Sequence, residues 1–377
     1  MMYGIPISKI QSFSLSILWI VAMVMPNECS AQGNSRYKLA LPPYEYQFPR
    51  DHASHPDYRT EWWYYTGHLK SDNRTFGYEL TFFRVGINPT RRSGGSAWAL
   101  HTLFFAHFAV TDEAGEKFYH SEAIGRPALK MAGSLEDRYK VWIGKWSAEL
   151  LGDDATHRLT AQGPETAISL DLLPAKPPVV HGNEGVSQKS EGAGRASHYY
   201  SLTRLKTSGT LTVKGNSYAV TGLSWMDHEF GTNQLTLQQQ GWDWFSIQLD
   251  NNRELMLYML RLKDGTLEPA SSGTVVAADG TWKHLDLSMY TIESTGTWTS
   301  PHNGATYPSG WKISVPNEGA ELRIIPTIED QELVSRSILG ITYWEGRVLV
   351  EGFDQGKPVS GMGYVELTGY IGKVPGF

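Results

Sequence analysis

The chain of 377 residues has almost no cysteine, since Cys29 is the only one. A protein with a single thiol forms no internal disulfide, so its stability depends on packing and hydrogen bonds. Basic clusters are also scarce: the short Arg91-Arg92 pair stands alone, and the formal net charge is -6. This charge pattern excludes the basic surface that nucleic-acid binding requires.

Charged residues are few, at 19% of the chain, whereas aromatic residues are abundant at 12%, with 13 Trp and 19 Tyr. Chains that fold into helices are rich in Ala, Glu, Lys and Leu, whereas aromatic and β-branched residues favour strands. The composition therefore predicts an all-β fold built from many short strands.

The N-terminus carries an apolar run over residues 13–25, with Lys9 before it and Pro26 after it. The run is too short to span a bilayer comfortably, and small residues ending at Ala31 are typical of a signal peptidase site. We expect a signal peptide over residues 1–31, cleaved after Ala31, and hence a secreted or periplasmic protein. The alternative is a lipoprotein signal acylated at Cys29, which bulky and charged residues before this cysteine disfavour.

An internal repeat of long period divides the rest of the chain. Three pairs of segments match in the same order: residues 61–66 and 241–246, 169–174 and 321–326, and 221–227 and 360–366. The repeat predicts two copies of an antiparallel unit of about eight strands, enough to close a β-barrel. We expect an N-terminal domain over residues 32–236, with a long mobile loop at 179–197, and a C-terminal domain over residues 237–377.

Residues 221–231 hold the candidate site. They contain Asp227, His228 and Glu229 in succession after a strand-like run, and a second aromatic strand with Asp243 embedded in it follows. Because successive side chains of a strand point to opposite faces, Asp227 and Glu229 share one face and His228 lies on the other. Ligand pockets occur preferentially at barrel mouths and domain junctions, so we expect a pocket here.

Four motifs give the chain a family resemblance: Glu61-Trp62-Trp63-Tyr64, Ala106-His107-Phe108-Ala109, Asp227-His228-Glu229-Phe230-Gly231 and Trp242-Asp243-Trp244-Phe245. Together they resemble the AttH-like family, which is related to carotenoid 1,2-hydratases. The resemblance implies two tandem lipocalin-like (calycin-type) β-barrels. It also implies addition of water to a C=C bond of an isoprenoid, carotenoid-like or polyketide-like substrate, with no metal and no organic cofactor.

Hydration of an isolated double bond needs a proton donor beside an apolar substrate. Burial among aromatic residues raises the pKa of a carboxyl group, so Asp227, Glu229 or Asp243 is the candidate donor. His228 is its candidate proton partner, and Tyr258 a candidate for positioning water. The strand at 255–260 carries Tyr258 without the neighbouring acid expected in carotenoid hydratases. The candidate substrate-binding residues are Trp62, Trp63, Tyr64, His107, Trp225, Phe230, Trp242 and Trp244.

Other interpretations remain open. The acids could bind backbone amides at a strand end, His228 could be a structural histidine, and the tryptophans could be core packing. A second functional hypothesis is a non-catalytic envelope protein that carries a lipid-like ligand, in association with an ABC-type export system. An enzyme requires a buried acid with a shifted pKa facing the pocket, whereas a carrier needs only aromatic contacts. We expect a monomer.

Overall fold

The computed structural model describes residues 37–87, 100–152, 155–335 and 340–371. The predicted all-β class is confirmed: these residues form strands and four single-turn 3₁₀ segments, with no α-helix among them. The 3₁₀ segments are Arg50–His52, Ala128–Lys130, Leu287–Met289 and Pro316–Glu318. Within the described ranges no helix has the length and apolar character that crossing a membrane requires. The predicted signal peptide lies outside the described residues.

In the part of the chain that the structure describes, thirteen strands form the first sheet. They are β1 (Thr60–Ser71), β2 (Arg74–Gly86), β3 (Thr102–Asp112), β4 (Lys117–Gly125), β5 (Ala132–Ser134), β6 (Lys140–Ile143), β7 (Trp146–Leu151), β8 (Thr156–Gln162), β9 (Thr166–Pro174), β10 (Val179–Val180), β11 (Ser187–Gln188), β12 (Ala196–Val213) and β13 (Asn216–Gly231).

This sheet is a nearly closed antiparallel barrel with the strand order β4-β3-β2-β1-β13-β12-β9-β8-β7-β6-β5. Its last strand returns to its first, since Gly125 of β4 lies against Ala132 of β5. Every second residue of a strand contributes to the barrel core: in β9, Leu170 and Leu172 are buried while Ser169 is exposed. The period of two therefore separates the barrel interior from its outside.

Within the described residues, twelve strands follow Gly231. They are β14 (Gln239–Leu249), β15 (Glu254–Leu262), β16 (Ser272–Val276), β17 (Trp282–Asp286), β18 (Thr291–Ser294), β19 (Thr297–Thr299), β20 (Thr306–Pro308), β21 (Trp311–Val315), β22 (Ala320–Pro326), β23 (Glu332–Leu333), β24 (Tyr343–Asp354) and β25 (Lys357–Leu367).

Ten of these strands form the second sheet, with the order β17-β16-β15-β14-β25-β24-β22-β21-β18, and with β23 on β24. Its end strands β17 and β18 do not pair with each other, so the unit is a half-barrel where the sequence predicted a closed barrel. In both sheets the first strand lies between the second strand and the last, β1 between β2 and β13, and β14 between β15 and β25. The two sheets thus share the order around their central strands.

The half-barrel covers the outside of β1 and β2. Tyr64 on β1 donates a hydrogen bond to Glu345 on β24, and Arg347 on β24 donates one to His68 on β1. Gly77 on β2 permits this approach, because a Cβ there would lie 2.3 Å from the hydroxyl of Tyr364. β1 is consequently buried on both faces, with one face toward the barrel core and the other toward the second sheet.

Residues 179–197 differ from the predicted long loop. They contribute β10 and β11, both paired with β12. His181 lies buried between Ser201 Oγ, 2.6 Å from its Nε2, and Thr274 Oγ1, 2.8 Å from its Nδ1. The segment is held because its polar groups find partners in both sheets, and it forms part of the boundary between them.

Candidate functional site

A cavity of about 110 Å³ lies between the two sheets. It offers several times the space that one water molecule needs. Its walls include aromatic side chains from both sheets, among them Trp62, Tyr64, Tyr199, Trp242, Trp244 and Tyr258. A concave, largely apolar cavity with few polar groups is typical of a small-molecule site.

One face of β13 presents two acids to this cavity. Asp227 and Glu229 line the cavity, whereas His228 and Phe230 point the opposite way. There His228 contacts Glu61, and Phe230 stacks on His55. The alternation of side chains along a strand explains the division. The same four-residue stretch therefore serves two separate buried environments.

Asp227 is bound by three neutral donors. Trp225 Nε1 donates to its Oδ1 at 2.6 Å, the Tyr199 hydroxyl donates to its Oδ2 at 2.8 Å, and the Ser201 hydroxyl donates to its Oδ1. Burial disfavours the carboxylate and outweighs these hydrogen bonds, so the pKa of Asp227 rises to about 7, with a small contribution from the charge of Glu229. A carboxyl group with this pKa can give or accept a proton near neutral pH.

Glu366 on β25 is a second acid in the cavity. It accepts a hydrogen bond from Trp242 Nε1 at 2.8 Å. Burial, opposed by the hydrogen bond from Trp242 and assisted by the negative charges of Asp227 and Glu229, raises the pKa of Glu366 to about 7. The two acids occupy matching places in the two sheets, because Asp227 pairs with Tyr64 on β1 and Glu366 pairs with Trp244 on β14.

The third acid of the cavity, Glu229, is paired with a buried cation. Lys189 Nζ lies 3.1 Å from Glu229 Oε1, which also accepts a hydrogen bond from the Ser197 hydroxyl. Burial opposes the charge of Lys189, but Glu229 and the Tyr258 hydroxyl together raise its pKa above the ordinary lysine value. The ammonium group thus stays charged inside the cavity.

Two more acids lie behind the cavity wall. The Tyr64 hydroxyl donates to Glu345 Oε1 at 2.7 Å, and the Thr81 hydroxyl donates to Glu79 Oε1. Both carboxyl groups are completely buried, and burial raises the pKa of each well above its ordinary value. Burial thus favours the protonated, uncharged form of both acids.

The opposite face of β13 contributes to a cluster around Glu61, which is completely buried. Arg84 Nε donates to Glu61 Oε2 at 2.8 Å, while His55 Nδ1 and His228 Nε2 lie 2.9 and 3.0 Å from Glu61 Oε1. Burial opposes ionisation of Glu61, but the charge of Arg84 and the hydrogen bonds of both histidines hold its pKa well below the ordinary value. Glu61 is therefore an anion at neutral pH.

His55, Glu61 and His228 are also the described residues whose ligand atoms converge, within 4.8 Å of one another. Two imidazole nitrogens and one carboxylate oxygen suit zinc or iron. In the structure the three groups are already joined by hydrogen bonds, and Arg84 holds the second oxygen of Glu61. The cluster is thus complete as an ion-pair and hydrogen-bond network.

The structure divides the remaining predicted site residues by location. Trp225 bonds Asp227 from the same strand face, and Asp243 lies outside the cavity, bonded to Arg261 Nε at 2.9 Å and to the Tyr370 hydroxyl. Three further predicted residues lie away from the cavity. Trp63 donates a hydrogen bond to His52 O, Phe230 stacks on His55, and His107 contacts the Tyr343 hydroxyl. The cavity itself brings together Asp227, Glu229, Tyr258, Trp62, Tyr64, Trp242 and Trp244.

Lys189, Tyr199 and Glu366 are among the polar groups of the cavity that sequence reasoning missed. A signal existed for Glu366, since the internal repeat aligns it with Asp227. Lys189 and Tyr199 follow no period that would have singled them out. They reach the cavity only through the pairing of β11 and β12.

The model of the AttH-like family matches residues 39–370, nearly all of the described chain. The chain belongs to the AttH-like family. The resemblance seen in the four sequence motifs is thereby confirmed. An AttH protein from Nitrosomonas europaea has a crystal structure that is similar to this one, with a TM-score of 0.81 and 31% identity, covering 89% of this chain and 100% of that one.

Two further relatives carry names that describe an activity. Kievitone hydratase from Nectria haematococca has the same fold, with a TM-score of 0.65 and 20% identity over 88% of this chain and 96% of that one. The dehydratase asqC from Emericella nidulans is 23% identical over 239 residues, which are 61% of this chain and 67% of that protein. This AttH-like chain is therefore similar to proteins named for adding or removing water.

Proposed function

We propose that this AttH-like protein is a hydro-lyase that adds water to, or removes water from, a carbon–carbon bond of a hydrophobic substrate. The observation that carries the proposal is the pair of buried acids, Asp227 and Glu366, which line one aromatic cavity with pKa values of about 7. Two carboxyl groups that titrate near neutrality supply an acid and a base together.

The singly protonated pair is the working state. Both acids have a pKa of about 7, so at neutral pH many molecules have one acid protonated and the other ionised, and the negative charge of Asp227 adds to the rise of the pKa of Glu366. In hydration, the protonated acid gives its proton to one carbon of the double bond. The ionised acid takes a proton from water, whose oxygen bonds to the other carbon. Transfer of a proton between the two acids then restores the starting state.

The names of two relatives support this reaction class, since one is a hydratase and the other a dehydratase. The aromatic wall supports a hydrophobic substrate. An isoprenoid, carotenoid-like or polyketide-like substrate, the absence of a cofactor, export and association with an export system all stay predictions.

The position of Asp227 favours an enzyme over a carrier. A carrier needs no acid whose pKa is shifted toward neutrality in its cavity, and its acids would bind backbone amides or face solvent. The three donors to Asp227 are side chains, and its carboxyl group lines the cavity. Proton transfer to or from a bound substrate requires an acid in the cavity whose pKa is near neutrality, as that of Asp227 is.

Extraction of the protein from its own host tests the proposal. Wild type and Asp227→Asn are purified, and the compounds released by organic solvent are identified by mass spectrometry. We expect compounds that differ by one water between the two proteins. The compound recovered from the variant is then incubated with wild type in isotopically labelled water. Loss of the proton donor should lower the rate by about 100-fold or more.

A matched control is Glu332→Gln. Glu332 is also buried and also bound by neutral donors, with Tyr307 at 2.7 Å and Asn303 at 2.8 Å, but it does not line the cavity. This variant should turn over the compound like wild type. Recovery of the same unmodified compound from wild type and Asp227→Asn, with no exchange of labelled oxygen, would leave a carrier.

A further inference from the structure

Lys189 enters the cavity from the segment that follows β11. Its backbone is fixed on both sides: its N–H donates to Arg195 O at 2.9 Å, and its carbonyl oxygen accepts from Gln239 Nε2 at 2.6 Å. Gln239 begins the first strand of the second sheet. The position of the lysine therefore depends on both sheets, as does the cavity.

Lys189 is only 6% exposed, and its side chain runs between two aromatic rings. Nζ lies 4.9 Å from the ring centre of Tyr199 and 4.4 Å from that of Tyr258. An ammonium group has three N–H donors. Glu229 Oε1 lies 3.1 Å from Nζ, the Tyr258 hydroxyl helps to raise the pKa of the ammonium group, and no third partner of Nζ is found among the residues that the structure describes. One donor is left for a ligand in the cavity.

A fixed ammonium group discriminates between possible reaction intermediates. Hydration of an isolated alkene passes through a carbocation, which accepts no hydrogen bond from an ammonium group, and Glu229 at 3.1 Å offsets the charge of Lys189. An intermediate with negative oxygen is instead attracted and accepts a charge-assisted hydrogen bond. The cavity therefore suits reactions in which charge develops on oxygen.

We propose that Lys189 binds an oxyanion, and that the substrate is a β-hydroxy carbonyl compound or the α,β-unsaturated carbonyl compound related to it by loss of water. This inference rests on the hydro-lyase function proposed above and names its substrate class. It departs from the isolated double bond of a carotenoid, which the family resemblance implies.

The dehydration balances with the groups present. Ionised Glu366 removes the proton from the carbon next to the carbonyl, and the electron pair moves onto the carbonyl oxygen, where Lys189 stabilises the enolate. The enolate then re-forms the carbonyl and a new C=C bond, and expels the β-hydroxyl group, which takes the proton of Asp227 and leaves as water. Return of the proton from Glu366 to Asp227 completes the cycle, and hydration is the reverse.

Binding of para-nitrophenol tests the oxyanion subsite without turnover, because its phenolate resembles an enolate and absorbs at a different wavelength from the phenol. We expect wild type to bind the phenolate at least about tenfold more tightly than the phenol, seen as a fall of about one unit in the pKa of the bound probe. Lys189→Met should abolish this preference, and Lys189→Arg should restore part of it.

Removing Lys189 leaves Glu229 buried without its cation, so the double variant Lys189→Met/Glu229→Gln is measured as well. It carries no unpaired charge, and it should lack the phenolate preference while remaining folded by circular dichroism. Phenolate binding that is equal in wild type and in both variants overturns the inference. So does a failure of wild type to bind the phenolate at millimolar concentration.

A turnover pair separates this inference from the proposed function. The probes are the β-hydroxy ketone that dehydrates to benzylideneacetone, followed by absorbance, and prenylbenzene, an isolated alkene of similar size. We expect turnover of the ketone alone, reduced about 100-fold or more in Lys189→Met. Hydration of prenylbenzene by both wild type and Lys189→Met overturns the oxyanion subsite but still supports the hydro-lyase function. If wild type prefers the phenolate and Asp227→Asn dehydrates the ketone at the normal rate, the oxyanion subsite is supported and the proposed catalytic role of Asp227 is overturned.

Discussion

Glu61 and Asp227 are buried acids on neighbouring paired strands, yet their pKa values shift in opposite directions. Glu61 keeps a pKa well below the ordinary value, whereas the pKa of Asp227 rises to about 7. Burial raises the pKa of both acids, so the difference comes from their partners. Arg84 brings a full positive charge to Glu61, while only neutral donors reach Asp227.

The two faces of β13 therefore have different roles. His228 on one face joins a network of fixed charges, which holds residues 50–61 against the barrel. Asp227 on the other face keeps a proton that it can release near neutral pH. A charged partner fixes the protonation state of a buried acid, and neutral partners leave it able to change.

The largest effect is expected from Glu61→Gln. This change leaves Arg84, which is 3% exposed, as a buried cation without its anion. Breaking a buried ion pair by removing one partner costs about 3–5 kcal/mol of unfolding free energy. Urea denaturation at pH 7 measures it. Because the pKa of Glu61 is lowered in the folded protein, its stabilisation is present above the unfolded pKa and is lost as pH falls, so the deficit should shrink in acid.

The matched control for this loss is Asp171→Asn. Asp171 also pairs with an arginine, Arg158, with 2.7 Å between Oδ1 and Nε, but both side chains are more than 40% exposed. An exposed ion pair contributes about 0–1 kcal/mol. Equal losses in the two variants would show that burial does not distinguish the pairs, contrary to the comparison.

A smaller effect of opposite sign is expected from Asp227→Asn. The folded pKa of about 7 exceeds the unfolded value of 3.8, so wild type loses stability as pH rises from about 4 to 7. Asparagine carries no such charge. The unfolding free energy of the variant should therefore rise relative to that of wild type over that pH interval, by on the order of 3 kcal/mol. Unfolding free energies at pH 5 and pH 8 measure the gain, and a difference between the two proteins that does not change with pH contradicts it.

Much of this arrangement could be predicted from the sequence, because strand faces alternate locally. The period of two placed Asp227 and Glu229 on one face and His228 on the other, and the internal repeat aligned Glu366 with Asp227. The partners could not be predicted. Arg84 and Lys189 reach their acids through strand pairing and through contacts between distant segments, and no local pattern encodes such contacts.

The smallest effect concerns the coupling of the two cavity acids. The charge of Asp227 raises the pKa of Glu366, after the larger effect of burial. Asp227→Asn removes that charge and leaves the burial of Glu366 unchanged, so the pKa of Glu366 should fall by less than about one unit and stay above the ordinary value. Carbon-13 NMR of labelled glutamate side chains measures the titration. If the pKa of Glu366 does not move, the two acids titrate independently, and the proton cannot be shared between them.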